Sequence, residues 1–215
     1  MDLLGLANYA VFMAILIGIY ALLALGLNIQ WGFTGLFNAG IAGFFAVGAY
    51  TSAILTSLPA SGRLGGYELP LLVGWLASMV AAGLIAWPIG KICLRFRSDY
   101  LAIATIGIAE IIRLVIRTEG WLTGGVRGVT GIPRPFGDLD YMPSQIAYLA
   151  IVATLVLVAY LLVERQVKAP WGRMMRAIRD NELAAAAMGK QVEARRLQAF
   201  VFGSALMGLA GALFV

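Results

Sequence analysis

Histidine is absent from this 215-residue chain. Without an imidazole, His-dependent zinc proteases and Ser-His or Cys-His nucleophile schemes are excluded. Cysteine occurs once, as Cys93, so no intrachain disulfide forms, and a lone thiol at a helix end reads as a small apolar packing residue. Charge is scarce as well, at 13% Asp, Glu, Lys and Arg, where soluble domains carry about 25%. The glycine-rich stretch 123–135, TGGVRGVTGIPRP, lacks a Gly-Lys-Ser/Thr ending and has no strand before it, which excludes a P-loop.

What remains is apolar: 61% hydrophobic residues and a mean hydropathy of +0.87. No soluble core of this size hides that much apolar surface, so the composition predicts an all-α, polytopic helical bundle in a membrane, one domain over 1–215. Apolar runs at 9–27, 36–58, 71–94, 100–117, 144–163 and 197–215 predict about six crossings, the third kinked or interrupted at Pro88. The first run lacks a basic flank and a cleavage site, so it is expected to stay in the mature protein. The last stops without flanking polar residues, which suggests a fragment with further spans to come.

The net charge of +5 and pI near 9.6 do not point to nucleic acid, because the basic residues concentrate in two loops that flank apolar runs. Lys91, Arg95 and Arg97 with the eight Lys and Arg of 165–196 make eleven of the sixteen, and two spans separate the clusters. Both clusters are then cytoplasmic, with the loops at 59–70 (Arg63) and 119–143 (Glu119, Arg127, Arg134, Asp138, Asp140) outside. Residues 28–35 fall inside or within the membrane, and the N-terminus outside.

The stretch 168–189, KAPWGRMMRAIRDNELAAAAMG, is a polar island between apolar runs. Pro170 suits a first helical turn, and Trp171, Met174, Met175 and Ile178 recur at helical spacing opposite Arg173, Arg176 and Arg179. Asp180 and Asn181 are N-cap types, Glu182 suits a first turn, and Gly189 is a C-terminal stop, which predicts a second short helix. The plain alternative is a solvated loop that sets orientation by charge alone. A docking element for a cytoplasmic partner explains the caps and the alanine-rich face better.

Two further polar groupings break the apolar pattern. Asn28, Gln30, Thr34 and Asn38, with Gly32 and Gly35 among them, cannot face lipid unpaired; they are either a surface turn or irregular backbone lining a substrate path. Glu110 and Arg113 share a face of the fourth span, as an intrahelical ion pair that helps helices associate or as groups beside a substrate path or gate.

Four blocks together carry a resemblance: GLNIQWGFTGLFNAGIAGFFAVGAY, SDYLAIATIGIAEIIR, TGGVRGVTGIPRP and APWGRMMRAIRDNELAAAAMG. In order and spacing, over nearly the whole chain, they resemble the membrane permease subunit of branched-chain amino acid ABC importers. That resemblance implies pairing with a second homologous permease, two cytoplasmic ATP-binding subunits that hold the ATP and Mg, and an extracytoplasmic solute-binding protein. It implies a bacterial inner-membrane location, no cofactor on this chain and no enzymatic activity of its own.

The resemblance also makes 165–196 a coupling loop, with Arg176, Arg179, Asp180, Glu182, Ala185 and Gly189 on matching positions and Arg173 beside them. Here Glu182 stands one position early relative to the wider ABC pattern, with Leu183 intervening. A permease for urea or short amides is the nearest alternative. A passive channel, a structural or proton-relay subunit and a membrane enzyme are more distant ones.

Overall fold

The computed structural model describes residues 3–59, 64–96, 98–133, 135–136 and 140–215, so Arg63, Arg97, Arg134 and Asp138 lie outside the described residues. The described residues are mostly helical, with no strand among them. In chain order the helices are α1 (Leu3–Leu27), α2 (Ile41–Thr56), α3 (Leu71–Cys93), α4 (Ser98–Thr118), the one-turn α5 (Gly120–Thr123), α6 (Tyr141–Lys168), α7 (Pro170–Asp180), α8 (Glu182–Ala187) and α9 (Val192–Phe214).

The bundle is built around α9, which buries Gly203, Ser204, Met207 and the whole stretch from Gly208 to Leu213 against α1, α2 and α3. Small side chains are the reason it sits there. A Cβ on Gly48 would lie 2.0 Å from the Gly208 carbonyl oxygen, and one on Gly211 would lie 1.9 Å from that of Phe45. Backbones this close exclude any larger residue, and close approach is what drives helix association where apolar surface alone gives no preference over lipid.

Side-chain contacts fix the helix directions. Gly18 meets Val152 and, three residues earlier, Ile15 shares a cavity wall with Tyr148, which runs α1 parallel to α6, while Gly90 meets Leu197 and Gly83 meets Val201, which runs α3 antiparallel to α9. The α3–α4 turn, the α1–α2 break and the segment carrying α7 and α8 therefore gather at one end of the bundle. The connections after α2 and after α4 gather at the other, where Leu58 N–H donates to the Gly131 carbonyl and Leu64 N–H to that of Trp121. The Lys91–Arg95 region and the basic island thus share one end, as the charge pattern predicts.

Among the described residues, four helical segments are long and apolar enough to cross a membrane: Gly5–Gly32, Leu71–Cys93, Tyr141–Lys168 and Val192–Phe214. The six crossings expected from apolar runs are not all of that kind. Helix α2 has 16 residues, about 24 Å at the helical rise and short of a ~30 Å hydrocarbon layer. The expected 36–58 run is helical only from Ile41, because 35–40 is irregular backbone held by side chains. Helix α4 is long enough but carries Glu110, Arg113 and Arg117. Pro88 does not interrupt α3, which runs unbroken from Leu71 to Cys93.

The close contacts make a testable contrast. Gly48→Ala should cost about 1–3 kcal/mol through overpacking, while Gly107→Ala, whose Cβ meets nothing within 4 Å, should gain up to about 1 kcal/mol of helix propensity. Thermal unfolding of the detergent-solubilised chain reads both; equal midpoints would contradict the packing described.

Candidate functional site

Helix α1 does not stop at Leu27 but widens into a π-helical turn, Asn28–Gly32, before the chain turns back through 35–40 into α2. The backbone explains the turn. Gly35 adopts φ +71°, a left-handed conformation open to glycine, and its N–H donates to the Trp31 carbonyl at 3.0 Å while Leu36 N–H donates to that of Gln30 at 2.9 Å. π-turns inside helices are frequent at functional sites.

The polar side chains of this break point inward. Gln30 is fully buried, and its Nε2 donates to the Phe200 carbonyl at 2.8 Å and to Ser204 Oγ at 3.1 Å, both on α9. Its Oε1 accepts from Asn38 Nδ2 at 2.9 Å, and Asn38 Oδ1 accepts from Gly40 N–H at 2.9 Å. The Thr34 hydroxyl donates to the Gln30 carbonyl. Ala39 N–H donates to Thr105 Oγ1 on α4 at 3.1 Å. Gln30, Thr34 and Asn38 thus come together as one internally paired cluster, which is how a broken helix is accommodated inside an apolar bundle. Asn28 stands apart from it, exposed at the end of an apolar groove between α1 and α6.

Glu110 and Arg113 pair with each other. Arg113 Nε and Nη2 donate to the two carboxylate oxygens at 2.8 and 2.5 Å, on an exposed face of α4 shared with Ile103, Ile106 and Ile111. They do not join the Gln30 cluster, whose link to α4 is Thr105, one and a half turns earlier.

The island folds as two helices. Helix α7 begins with Pro170 at its first turn and buries Gly172, Met175 and Ile178 against Ile29 of the π-turn and Val192 and Ala199 of α9. Asn181 is the N-cap of α8, its Oδ1 accepting from Ala184 N–H at 3.0 Å. Gly189 closes α8 at φ +73°, and Lys190 N–H donates back to the Ala185 carbonyl at 3.2 Å.

The two helices present different groups outward. Arg196 of α9, only 12% exposed, holds Glu182 at 2.7 Å. Ala185 is buried, whereas Leu183 and Met188 are 83% and 78% exposed. Arg173 reaches the Lys168 carbonyl at 3.5 Å, and Arg176 and Asp180 are exposed. Arg179 turns the other way and donates from Nη1 to the Gly32 carbonyl of the π-turn at 2.6 Å.

Sequence reasoning missed Ser204, Thr105 and Arg196 as partners. A serine beside a glycine inside an apolar run, and an arginine just before one, were the available signals; neither says which distant residue it meets.

Known proteins resemble this chain along most of its length. A family model described as branched-chain amino acid transport system / permease component matches residues 9–215. The chain is 35% identical over 219 residues to the high-affinity branched-chain amino acid transport system permease protein LivM of Escherichia coli, covering 91% of this chain and 50% of that protein. It is 26% identical to a probable branched-chain amino acid transport permease protein LivM of Methanocaldococcus jannaschii, covering 92% of this chain and 64% of that one. With the autoinducer 2 import system permease protein LsrC of Shigella flexneri it shares 31% identity over 69% of this chain and 41% of that protein. The chain spans about half the length of the Escherichia coli relative. No solved structure matches.

The buried cluster should matter more to stability than the exposed amide two residues before it. Gln30→Leu leaves Asn38, Ser204 and the Phe200 carbonyl short of a partner, at a cost of about 2–4 kcal/mol, while Asn28→Leu should change little. Unfolding midpoints in detergent measure the difference, and equal values would show that the cluster is not what holds the break.

Proposed function

The chain belongs to the branched-chain amino acid transport permease family, and we propose that it is a transmembrane subunit of an ATP-driven importer for branched-chain or related amino acids. In this reading α1, α3, α6 and α9 cross the bacterial inner membrane, α2 crosses together with the irregular 35–40 segment, and α4 is the sixth crossing. A second homologous permease covers the outward face of α4, two ATP-binding subunits carrying ATP and Mg sit at the end where α7 and α8 project, and an extracytoplasmic protein delivers solute at the other. The relatives named for branched-chain amino acids align over about nine-tenths of the chain, against 69% for the one named for autoinducer 2 import, which favours an amino acid as solute.

The observation that carries the reading is α8. A six-residue helix is too short to persist on propensity, yet this one has an asparagine cap, a glycine stop and an ion pair to α9, and it displays two bare apolar side chains, Leu183 and Met188. Such a knob is suited to a cleft on a partner, which solvated loops do not require. Arg173, Arg176 and Asp180 surround it with charge, while Glu182, Ala185 and Gly189 fix its position.

Solute passage falls to the α4 side. An exposed Glu110–Arg113 pair in an otherwise apolar helix face is costly against lipid and tolerable beside water or a polar partner. A zwitterionic solute passing there meets one group of each sign. Asn28, the exposed member of the amide set, lies on the separate groove between α1 and α6, and Gln30, Thr34 and Asn38 bear on the α4 side through the adjoining Ala39 bond to Thr105. ATP-driven closure of the partner subunits displaces α7 and α8, and the rigid helices convert that into alternating access.

Reversing the charge at Glu182 tests the coupling. Glu182→Lys breaks the pair with Arg196 and should leave the permease inserted and paired while lowering ATP-dependent uptake in proteoliposomes by about tenfold or more. Unchanged uptake would contradict the role given to α8.

A further inference from the structure

Helix α7 touches the membrane bundle through one charged side chain that leaves the island altogether. From the last turn of α7, Arg179 passes Gly35, where a Cβ would stand 3.1 Å from its Cγ, and donates to the Gly32 carbonyl at 2.6 Å, 147 positions away in sequence. Carbonyls at the end of a helix lack an intrahelical donor and carry the negative end of its dipole, so a guanidinium there makes a charge-assisted bond. The remaining guanidinium nitrogens face Asp180 Oδ1 at 3.3 Å.

We propose that Arg179 is a positioning residue, a clamp that holds the π-turn of α1 in register with the island, and that the Gln30 amide distributes that register to the rest of the bundle. From Gln30 the bonds run to Phe200 and Ser204 on α9 and to Asn38, and the adjoining Ala39 amide continues to Thr105 on α4. Both ends of the Gln30 side-chain amide and its main-chain carbonyl are engaged, among buried apolar neighbours. Breaking any one bond strands a polar atom in that interior, so the π-turn, the head of α2 and the adjoining turns of α4 and α9 move as a connected unit. Arg179 then transmits the position of α7 to α4, the helix bearing the Glu110–Arg113 pair. The transport consequence rests on the permease function proposed above; the clamp itself does not.

The clamp is read first in the full-length permease in detergent. Arg179→Gln should speed hydrogen exchange at the Gly35 and Leu36 amides about tenfold or more, while Arg165→Gln, an exposed charge at the end of α6, should leave it unchanged. Exchange unaltered by Arg179→Gln overturns the clamp. In proteoliposomes with the ATP-binding subunits and binding protein, Arg179→Gln should lower solute moved per ATP hydrolysed about tenfold with assembly and hydrolysis retained. Ser204→Ala should add little in the double variant, because both act on one chain of bonds.

An unchanged transport ratio, fully additive effects, or loss of ATP-subunit binding in Arg179→Gln would overturn the relay. Failure of the unsubstituted complex to couple ATP to uptake would contradict the permease function, and the exchange measurement would still decide the clamp.

Discussion

A primary amide inside an apolar bundle has to find a partner for every polar atom, and the Gln30 side chain finds three of them on two separate segments, Phe200 and Ser204 on α9 and Asn38 in the break before α2. That single requirement sets the shape of the molecule near its basic end. It permits α1 to end in a π-turn without exposing backbone to lipid, it brings the chain back at Asn38 to begin α2 inside the bundle, and it fixes how far α9 reaches alongside. The Phe200 carbonyl and Ser204 lie only a few residues beyond Leu197, where α9 turns apolar, about 5–10 Å along the helix. The cluster therefore sits just below the end from which the island projects.

The close backbone contacts of α9 make that arrangement stiff. With glycines at 203, 208 and 211 against α1, α3 and α2, the central helix has little room to slide, and displacement of one end carries to its neighbours. The island is packed onto the same helix through Met175, Ile178 and Ala185. The exposed apolar side chains Leu183 and Met188, the Arg179 contact to the π-turn and the close-packed bundle thus share one short stretch of structure. The exposed ion pair on α4 is joined to it through Thr105.

Much of the island was legible in the sequence because its signals are local. Pro170 at the first turn, a 3.6-residue apolar period and Gly189 at a positive φ each act within a few residues; of the two cap candidates, Asn181 is the one that bonds. The apolar runs located the long helices for the same reason. The break at 28–40 was visible as polar residues in an apolar stretch, but its internal pairing was not, since Gln30 meets residues 170 and 174 positions away. The inward turn of Arg179 was equally hidden, because an arginine on a basic amphipathic helix looks like its neighbours Arg173 and Arg176. Four of the six apolar runs fold among the described residues as helices long and apolar enough to cross a membrane; apolar length did not reveal that α2 begins only at Ile41, while the charged residues of the fourth run were already visible in the sequence.

The central claim is that the end bearing α7 and α8 faces the cytosol and is gripped there by an ATP-binding subunit. In a Cys93→Ser background, single cysteines at Leu183 and Met188 on α8, and at Val126 at the opposite end, measure this directly in cells. The account predicts that the first two cross-link to the ATP-binding subunit and resist a membrane-impermeant maleimide added outside, while the third reacts with it and does not cross-link. Labelling of position 183 or 188 from outside would contradict the account, as would failure of both to cross-link.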